Sequence, residues 1–289
     1  VFKENMGKIA CQAEDKCNVL KILYDEYPEN PREWDNLGTM VCGHKRYLLG
    51  DKEAKNIQLY NNWEEWLQGE ILKPNGGRSA VVFLPVYMYN HSGITISTHP
   101  FSCPWDSGQL GWIYCTKKRF IKKTLYTEAE LFSTDRNRTP VAGEHVKIKG
   151  HENKGVNGFG IAKTVNDKTI TVDFDHHKIP EYRSPANIVT VPLADVAETM
   201  ANRAVEMLQN EVRVYDAYLR GDVYRAVLEK KVYRKPCYPY HNCEQCGLNC
   251  PEYKLQAVKT LWGYYRTDWE YNGLACEFSE VKHLIRNLL

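Results

Sequence analysis

Four cysteines, Cys237, Cys243, Cys246 and Cys250, fall within 14 positions, and His241 lies among them. Zn²⁺ takes four thiolate or imidazole ligands in a tetrahedron, and close cysteine pairs on a turn supply them at low entropic cost. Gly247 lets the chain tighten after Cys246. A loop with so little apolar content gains its order from the metal rather than from a core. The spacing therefore predicts a structural zinc held by Cys237, Cys243, Cys246 and Cys250, with His241 as a substitute ligand. Four such ligands leave no open position for hydrolysis. A redox or iron–sulfur site and unliganded thiols are the alternatives. The run Cys243-x2-Cys246-x3-Cys250-Pro251 matches part of a ferredoxin pattern, but its fourth spacing differs.

A second chemistry-bearing loop runs from His99 to Gln109 and carries one thiol, Cys103, with His99 and Asp106 close in sequence. A cysteine nucleophile needs a base within hydrogen-bond reach and an acid that orients the base. Cys103 as nucleophile, His99 as base and Asp106 as orienting acid make the candidate constellation. His91 and His44 are further candidate bases and Asp35 a further acid, and Cys42-Gly43-His44 adds a second thiol–imidazole pair. The competing reading is a buried structural thiol between Pro100-Phe101 and Pro104-Trp105. No Gly-x-Ser-x-Gly, phosphate-binding loop, dinucleotide fingerprint or His-Glu-x-x-His is present.

The elements that must position these groups occupy 289 residues, enough for roughly two domains. No apolar run reaches the ~18 residues that span a bilayer, so no membrane partner is expected. Lys and Arg number 38 against 36 Asp and Glu, a balance unlike that of a nucleic-acid coat. An acidic stretch (Asp25, Glu26, Glu29, Glu33, Asp35) and a basic one (Lys117, Lys118, Arg119, Lys122, Lys123) both read as solvated surface. A thiol cluster with six scattered cysteines and no secretion signal predicts a reducing compartment. The chain opens on Val1 rather than Met, which predicts a further piece upstream.

Residues 1–24 offer a short helical pattern on Val19, Leu20, Ile22 and Leu23. Pro28 and Pro31 make 27–35 a loop, and 34–42 leads into a helix or turn. Asn62 starts a helix with Glu65 three residues on. Residues 81–89, 94–98 and 110–115 are antiparallel strands, with a turn at 90–93. Residues 117–132 return as a helix. Short strands at 146–148, 160–165, 169–174 and 188–191, punctuated by glycine, suggest a small barrel. Asp195 and Glu198 make a capping-box pattern for a long amphipathic helix ending at Gly221. Strands at 223–232 and 255–265 flank the cysteine cluster, and 281–289 closes as a short helix. The fold class is therefore α+β: an antiparallel-sheet core of residues 1–135 and 195–289, carrying a cysteine-rich hairpin finger at 233–254. A small SH3-like β-barrel, 136–194, is inserted in that core.

The string GEHVKIKG at 143–150, followed by Gly155, Gly158 and Gly160, resembles the opening of SH3-like and KOW-type barrels. The strings NPREWDNLGTMVC at 30–42, PFSCPWDSGQ at 100–109, YLRGDVY at 218–224 and WGYY at 262–265 together resemble a family of uncharacterised bacteriophage and mobile-element proteins. That resemblance covers both outer pieces and not the inserted segment. It implies a setting in the cytoplasm of a bacterial host cell and carries no established activity onto particular residues. The expected function is an accessory protein that binds a host protein or complex, as an antagonist of host defence. The 19 Tyr and 7 Trp are candidate anchors for such an interface. One alternative is nucleic-acid binding through the barrel and zinc finger, although residues 144–183 hold seven Lys/Arg against six Asp/Glu. The other is an enzyme with Cys103 as nucleophile.

Overall fold

A computed structural model describes residues 5, 7–156, 158–178, 184–233 and 253–288. The chain is α+β, with predominantly antiparallel sheets. Its first elements differ from the helical pattern expected for 1–24. They are strands β1 (Ile9–Glu14) and β2 (Asn18–Tyr24), paired antiparallel. Asp15 turns the chain between them: its Oδ1 accepts from the Cys17 and Asn18 backbone N–H, each at 2.7 Å. Burial raises the Asp15 pKa, but these two amides and His283 outweigh it and bring it down to about 2. Four apolar residues in five positions fit one helical turn or one strand equally well, so the turn and the partner strand decide.

Residues 34–42, expected as helix or turn, end instead in β3 (Thr39–Cys42), which is followed by the short β4 (Lys52–Glu53). Helix α1 (Trp63–Trp66) starts where expected: Asn62 Oδ1 accepts from the Glu65 N–H at 2.9 Å, and a π turn continues it over Leu67–Leu72. Strands β5 (Val81–Asn90), β6 (Ile94–Ser97) and β7 (Ser107–Thr116) lie at the expected positions. The single helix expected over 117–132 is two, α2 (Lys117–Lys123) and α3 (Glu128–Phe132). Thr127 and Glu130 close a full capping box that restarts the chain.

Next come β8 (His145–Ile148), β9 (Phe159–Val165), β10 (Thr169–Asp173), β11 (Ile188–Pro192) and β12 (Val196–Thr199). β12 corrects the sequence reading. Asp195 ends a 3-10 turn over Leu193–Asp195, and Glu198 sits in a strand rather than capping a helix. Val196 pairs with Ile148 of β8, and Glu198 forms ion pairs with Arg136 and Lys147. The unpaired edge of β8 and the β-branched Val196 and Thr199 favour the ladder over the cap. Helix α4 (Arg203–Arg220) then begins after Asn202 and ends at Gly221, as expected. The Gly221 N–H donates to the Tyr218 carbonyl and the Asp222 N–H to the Ala217 carbonyl, a Schellman closure with Gly221 at φ 81°. The long strands β13 (Val223–Tyr233) and β14 (Tyr253–Tyr265) follow, then α5 (Leu274–Glu277) and α6 (Lys282–Ile285).

Two compact units divide the chain. The first comprises Val1–Trp34, Tyr87–Gly108 and Val212–Leu289. Its sheet has the order β1-β2-β13-β14, with Leu20 opposite Leu228, Ile22 opposite Ala226 and Tyr24 opposite Tyr224. Side chains alternate across a strand, so this register sends Leu20, Ile22, Ala226 and Leu228 to one face. Trp269, Leu274, Phe278, Val281, Leu284 and Ile285 cover that face. Each such large side chain contributes about 1.5–3 kcal/mol by leaving water.

The second unit comprises Asp35–Val86 and Gln109–Glu211. There β3 pairs parallel with β4 and antiparallel with β7, and β5 lies beyond β7. The Glu211 carboxylate accepts from the Leu37 and Gly38 amides at 2.9 and 3.0 Å, which fixes the approach to β3. Trp66, Leu67, Ile71 and Leu72 cover Val41, Val81 and Trp112. Strands β8 to β12 form a separate five-stranded sheet, ordered β11-β10-β9-β8-β12, over the buried Val146, Ile148, Ala162, Ile170, Val172 and Phe174.

Gly111 is the tightest point of the second unit. It faces Cys42 across the β3–β7 pair, and a Cβ there would lie 1.9 Å from the Val41 carbonyl oxygen. Backbone cannot yield that far without breaking the pair. Gly111→Ala is therefore expected to lower stability by about 2 kcal/mol or more. Gly93→Ala, whose Cβ would meet nothing within 4 Å, is expected to be nearly neutral. Thermal unfolding of the two variants checks both.

Candidate functional site

The Cys103 loop brings together two of the three expected residues and adds a third. The Cys103 Sγ lies 4.0 Å from Asp106 Oδ2, the outer limit for an S–H···O contact. Asp106 Oδ2 is also 3.2 Å from His91 Nδ1, while the His99 Nδ1 faces Thr98 Oγ1 at 3.3 Å. His91 stacks on Tyr89, which in turn packs against Phe101. Asp106 thus stands between thiol and imidazole. Among the described residues the thiol's hydrogen-bond partner is a carboxylate, whereas nucleophile activation calls for thiol-to-imidazole contact.

The other expected candidates hold turns and ion pairs. His44 Nδ1 accepts from the Arg46 and Tyr47 amides at 3.2 and 3.3 Å, and its ring stacks on Tyr47. Cys42 is buried in β3. Asp35 binds Lys123 at 2.6 Å and Arg119 at 3.7 Å, and Lys123 and Arg119 hold its carboxyl below the usual range. Lys117 lies over the Phe132 ring. Three cations of the basic stretch are therefore already engaged within the chain. Burial pushes the Cys115 thiol up to about 12, so it stays protonated and inert. Cys237, His241, Cys243, Cys246 and Cys250 lie outside the described residues. The described strands on either side of them pair as far as Val232–Lys254 and Tyr233–Tyr253.

The sequence reading missed a cavity of about 660 Å³ in the first unit. Asp25, Glu26, Tyr27, Glu29 and Trp34 line it from the chain that leaves β2, Arg225 from β13, and Trp262, Gly263 and Tyr265 from β14. Local sequence builds each wall. Asn30 Oδ1 accepts from the Arg32 N–H at 3.0 Å, and Pro31 opens a 3-10 turn over Pro31–Glu33 that brings Trp34 back. The β13–β14 register slips between Tyr224 and Ala226, so Trp262 and Gly263 together oppose Arg225. Gly263 takes φ 79°, a left-handed conformation costly for any other residue. Such a bulge re-aims a side chain, here Trp262.

Hydrogen bonds hold the cavity open. The Tyr265 hydroxyl donates to the Glu29 carbonyl at 2.6 Å, and the Trp34 ring meets the Tyr265 ring edge-on at 5.2 Å. The Trp34 Nε1–H donates to Glu29 Oε2 at 3.3 Å, and Asp25 Oδ1 accepts from the Tyr27 N–H at 3.0 Å. Arg225 reaches Glu26 at 3.5 Å. Burial, and then the nearby Glu29 and Asp25 carboxylates, raise the Tyr265 pKa, so its hydroxyl remains a donor at neutral pH. Three carboxylates thus share a pocket with one guanidinium and four aromatic rings. Among the described residues no group of three or more His, Cys, Asp or Glu side chains is arranged to hold a metal ion.

Comparison of the chain with family models, with curated proteins and with solved structures finds no match. The signal for the cavity was nevertheless in the sequence. Residues 25–34 interleave acids with Tyr27 and Trp34, and WGYY at 262–265 sets a glycine inside an aromatic run. In the linear sequence the acids look like solvated surface, because the strands that complete the cavity wall, at Arg225 and Trp262, are remote from them.

Tyr265→Phe removes the donor to the Glu29 carbonyl while keeping the ring. It is expected to cost about 1 kcal/mol in urea unfolding.

Proposed function

We propose that this chain is a binding protein that takes part of a partner macromolecule into the cavity between the 25–34 segment and β14. The observation that carries this reading is the cavity itself: about 660 Å³, walled by aromatic and charged side chains. Pockets of this size and make-up are the usual sites of recognition. Exposed aromatics at such a rim, here Tyr27, Trp34 and Trp262, are the residue types that anchor interfaces. The motif resemblance to phage and mobile-element proteins supports a host protein or complex in the bacterial cytoplasm as the partner, and antagonism of host defence as the outcome. Among the described residues no helix is long and apolar enough to cross a membrane.

Two structural proposals accompany this reading. The strand order β11-β10-β9-β8-β12, with one 3-10 turn before the last strand, supports reading an SH3-like barrel inserted over 136–194, with its fifth strand, Val196–Thr199, just beyond that range. The cysteine spacing, between strands that pair up to Tyr233 and Tyr253, supports a structural zinc in the 233–254 finger. Metal analysis of the purified protein is expected to return one zinc per chain, lost in the Cys243→Ser, Cys246→Ser double variant. Metal-free protein as isolated under reducing conditions would refute the zinc.

Capture from bacterial lysate tests the function. Wild-type chain is expected to retain a stoichiometric partner that Trp262→Ala loses. Trp262 is 58% exposed, so its truncation leaves the fold intact. Equal capture by both proteins would overturn the cavity as the binding site.

A further inference from the structure

We infer that the group this cavity recognises is the guanidinium of an arginine side chain, presented by a basic segment of the partner. The inference rests on the binding reading above and names the chemistry of its ligand.

Charge is the first argument. Among the described residues that line the cavity, Asp25, Glu26 and Glu29 face one cation, Arg225, whose contact with Glu26 is a loose 3.5 Å. The cavity therefore keeps an excess of negative charge, which favours a cation entering from solvent. The second argument concerns unused hydrogen-bonding capacity. Asp25 is only 9% exposed, yet among the described residues its Oδ1 accepts one backbone N–H and its Oδ2 has no partner. Glu29 is exposed; it uses Oε2 for the Trp34 indole and turns Oε1 to solvent, where an incoming donor can reach it. A charged donor at the second oxygen of the nearly buried Asp25 would stabilise that carboxylate.

The aromatic walls distinguish among cations. Trp34, Tyr265, Tyr27 and Trp262 line the same cavity as those carboxylates. A planar guanidinium can stack on a ring and donate in its own plane to a carboxylate at once. A tetrahedral, strongly hydrated ammonium does this less well. The volume exceeds what one side chain fills, so a peptide segment fits better than a free amine.

The test uses the full chain and its tryptophan fluorescence, since Trp34 and Trp262 both line the cavity. The probes are end-blocked Gly-Gly-Arg-Gly-Gly, the same peptide with lysine or citrulline in place of arginine, and free arginine amide. The arginine peptide is expected to bind. The citrulline peptide, which keeps the shape but lacks the charge, should bind about ten-fold or more weakly, and free arginine amide more weakly than the peptide. Glu29→Gln should weaken arginine-peptide binding by about ten-fold and leave the unfolding midpoint near that of wild type. Asp25→Asn, the second variant, is expected to weaken arginine-peptide binding likewise while its circular dichroism matches wild type.

Equal affinity for the arginine and citrulline peptides overturns the inference, as does no response to the arginine peptide at millimolar concentration. If the free amide binds as well as the peptide, the ligand is a small cation and the partner segment is wrong. If the peptides fail while Trp262→Ala still loses the lysate partner, arginine recognition falls and the binding reading stands. If Trp262→Ala keeps the partner, the binding reading falls first.

Discussion

The antiparallel pairing of β2 with β13 is the contact on which the first unit depends. It joins residues 18–24 to residues 224–230 across most of the chain. Closing so long a loop costs entropy that only a large buried face repays, and Leu20, Ile22, Ala226 and Leu228 supply that face on the two central strands. The same pairing sets the cavity. The Asp25 N–H continues the ladder by donating to the Val223 carbonyl at 2.8 Å, which stations Asp25 and Glu26 beside Arg225. The bulge in β13–β14 then brings Trp262 to the same place. One register therefore decides both the core and the pocket, on opposite consequences of the same alternation of side chains.

The pocket concentrates polar groups that the core excludes. Each is held by a neighbour. Tyr265 anchors the Glu29 backbone, Trp34 anchors the Glu29 carboxylate, and the Tyr27 amide anchors Asp25. Such pre-set donors and acceptors reduce the ordering entropy that a partner must supply on binding. Carboxylates fixed in this way also repel one another when no cation sits among them. The site is thus built for a charge it does not itself contain in full.

The Cys103 loop illustrates how sequence proximity and chemistry part company. A thiol, an imidazole and a carboxylate occur there, but the carboxylate occupies the central place and His91 rather than His99 meets it. The basic stretch behaves similarly. Read along the chain it is a run of positive charge, yet Asp35 takes up Lys123 and Arg119, and Phe132 takes up Lys117. Charge that is spent internally offers less to a phosphate backbone.

What the sequence determined by itself was local. The capping Asn62, the turn at 90–93, the helix stop at Gly221 and the strands expected at 81–89, 110–115, 223–232 and 255–265 are written in residues a few positions apart. Interactions within one turn or one strand need no distant partner, so their signals survive in the linear order. Tertiary structure decided the rest. Residues 9–24 are strands because β13 offers a ladder edge, and residues 196–199 are a strand because β8 does. The acids at 25–29 line a cavity because β14 curls toward them at Gly263. A short apolar run or a cluster of carboxylates is compatible with several local states, and only the free energy of burial and pairing against a remote segment selects one.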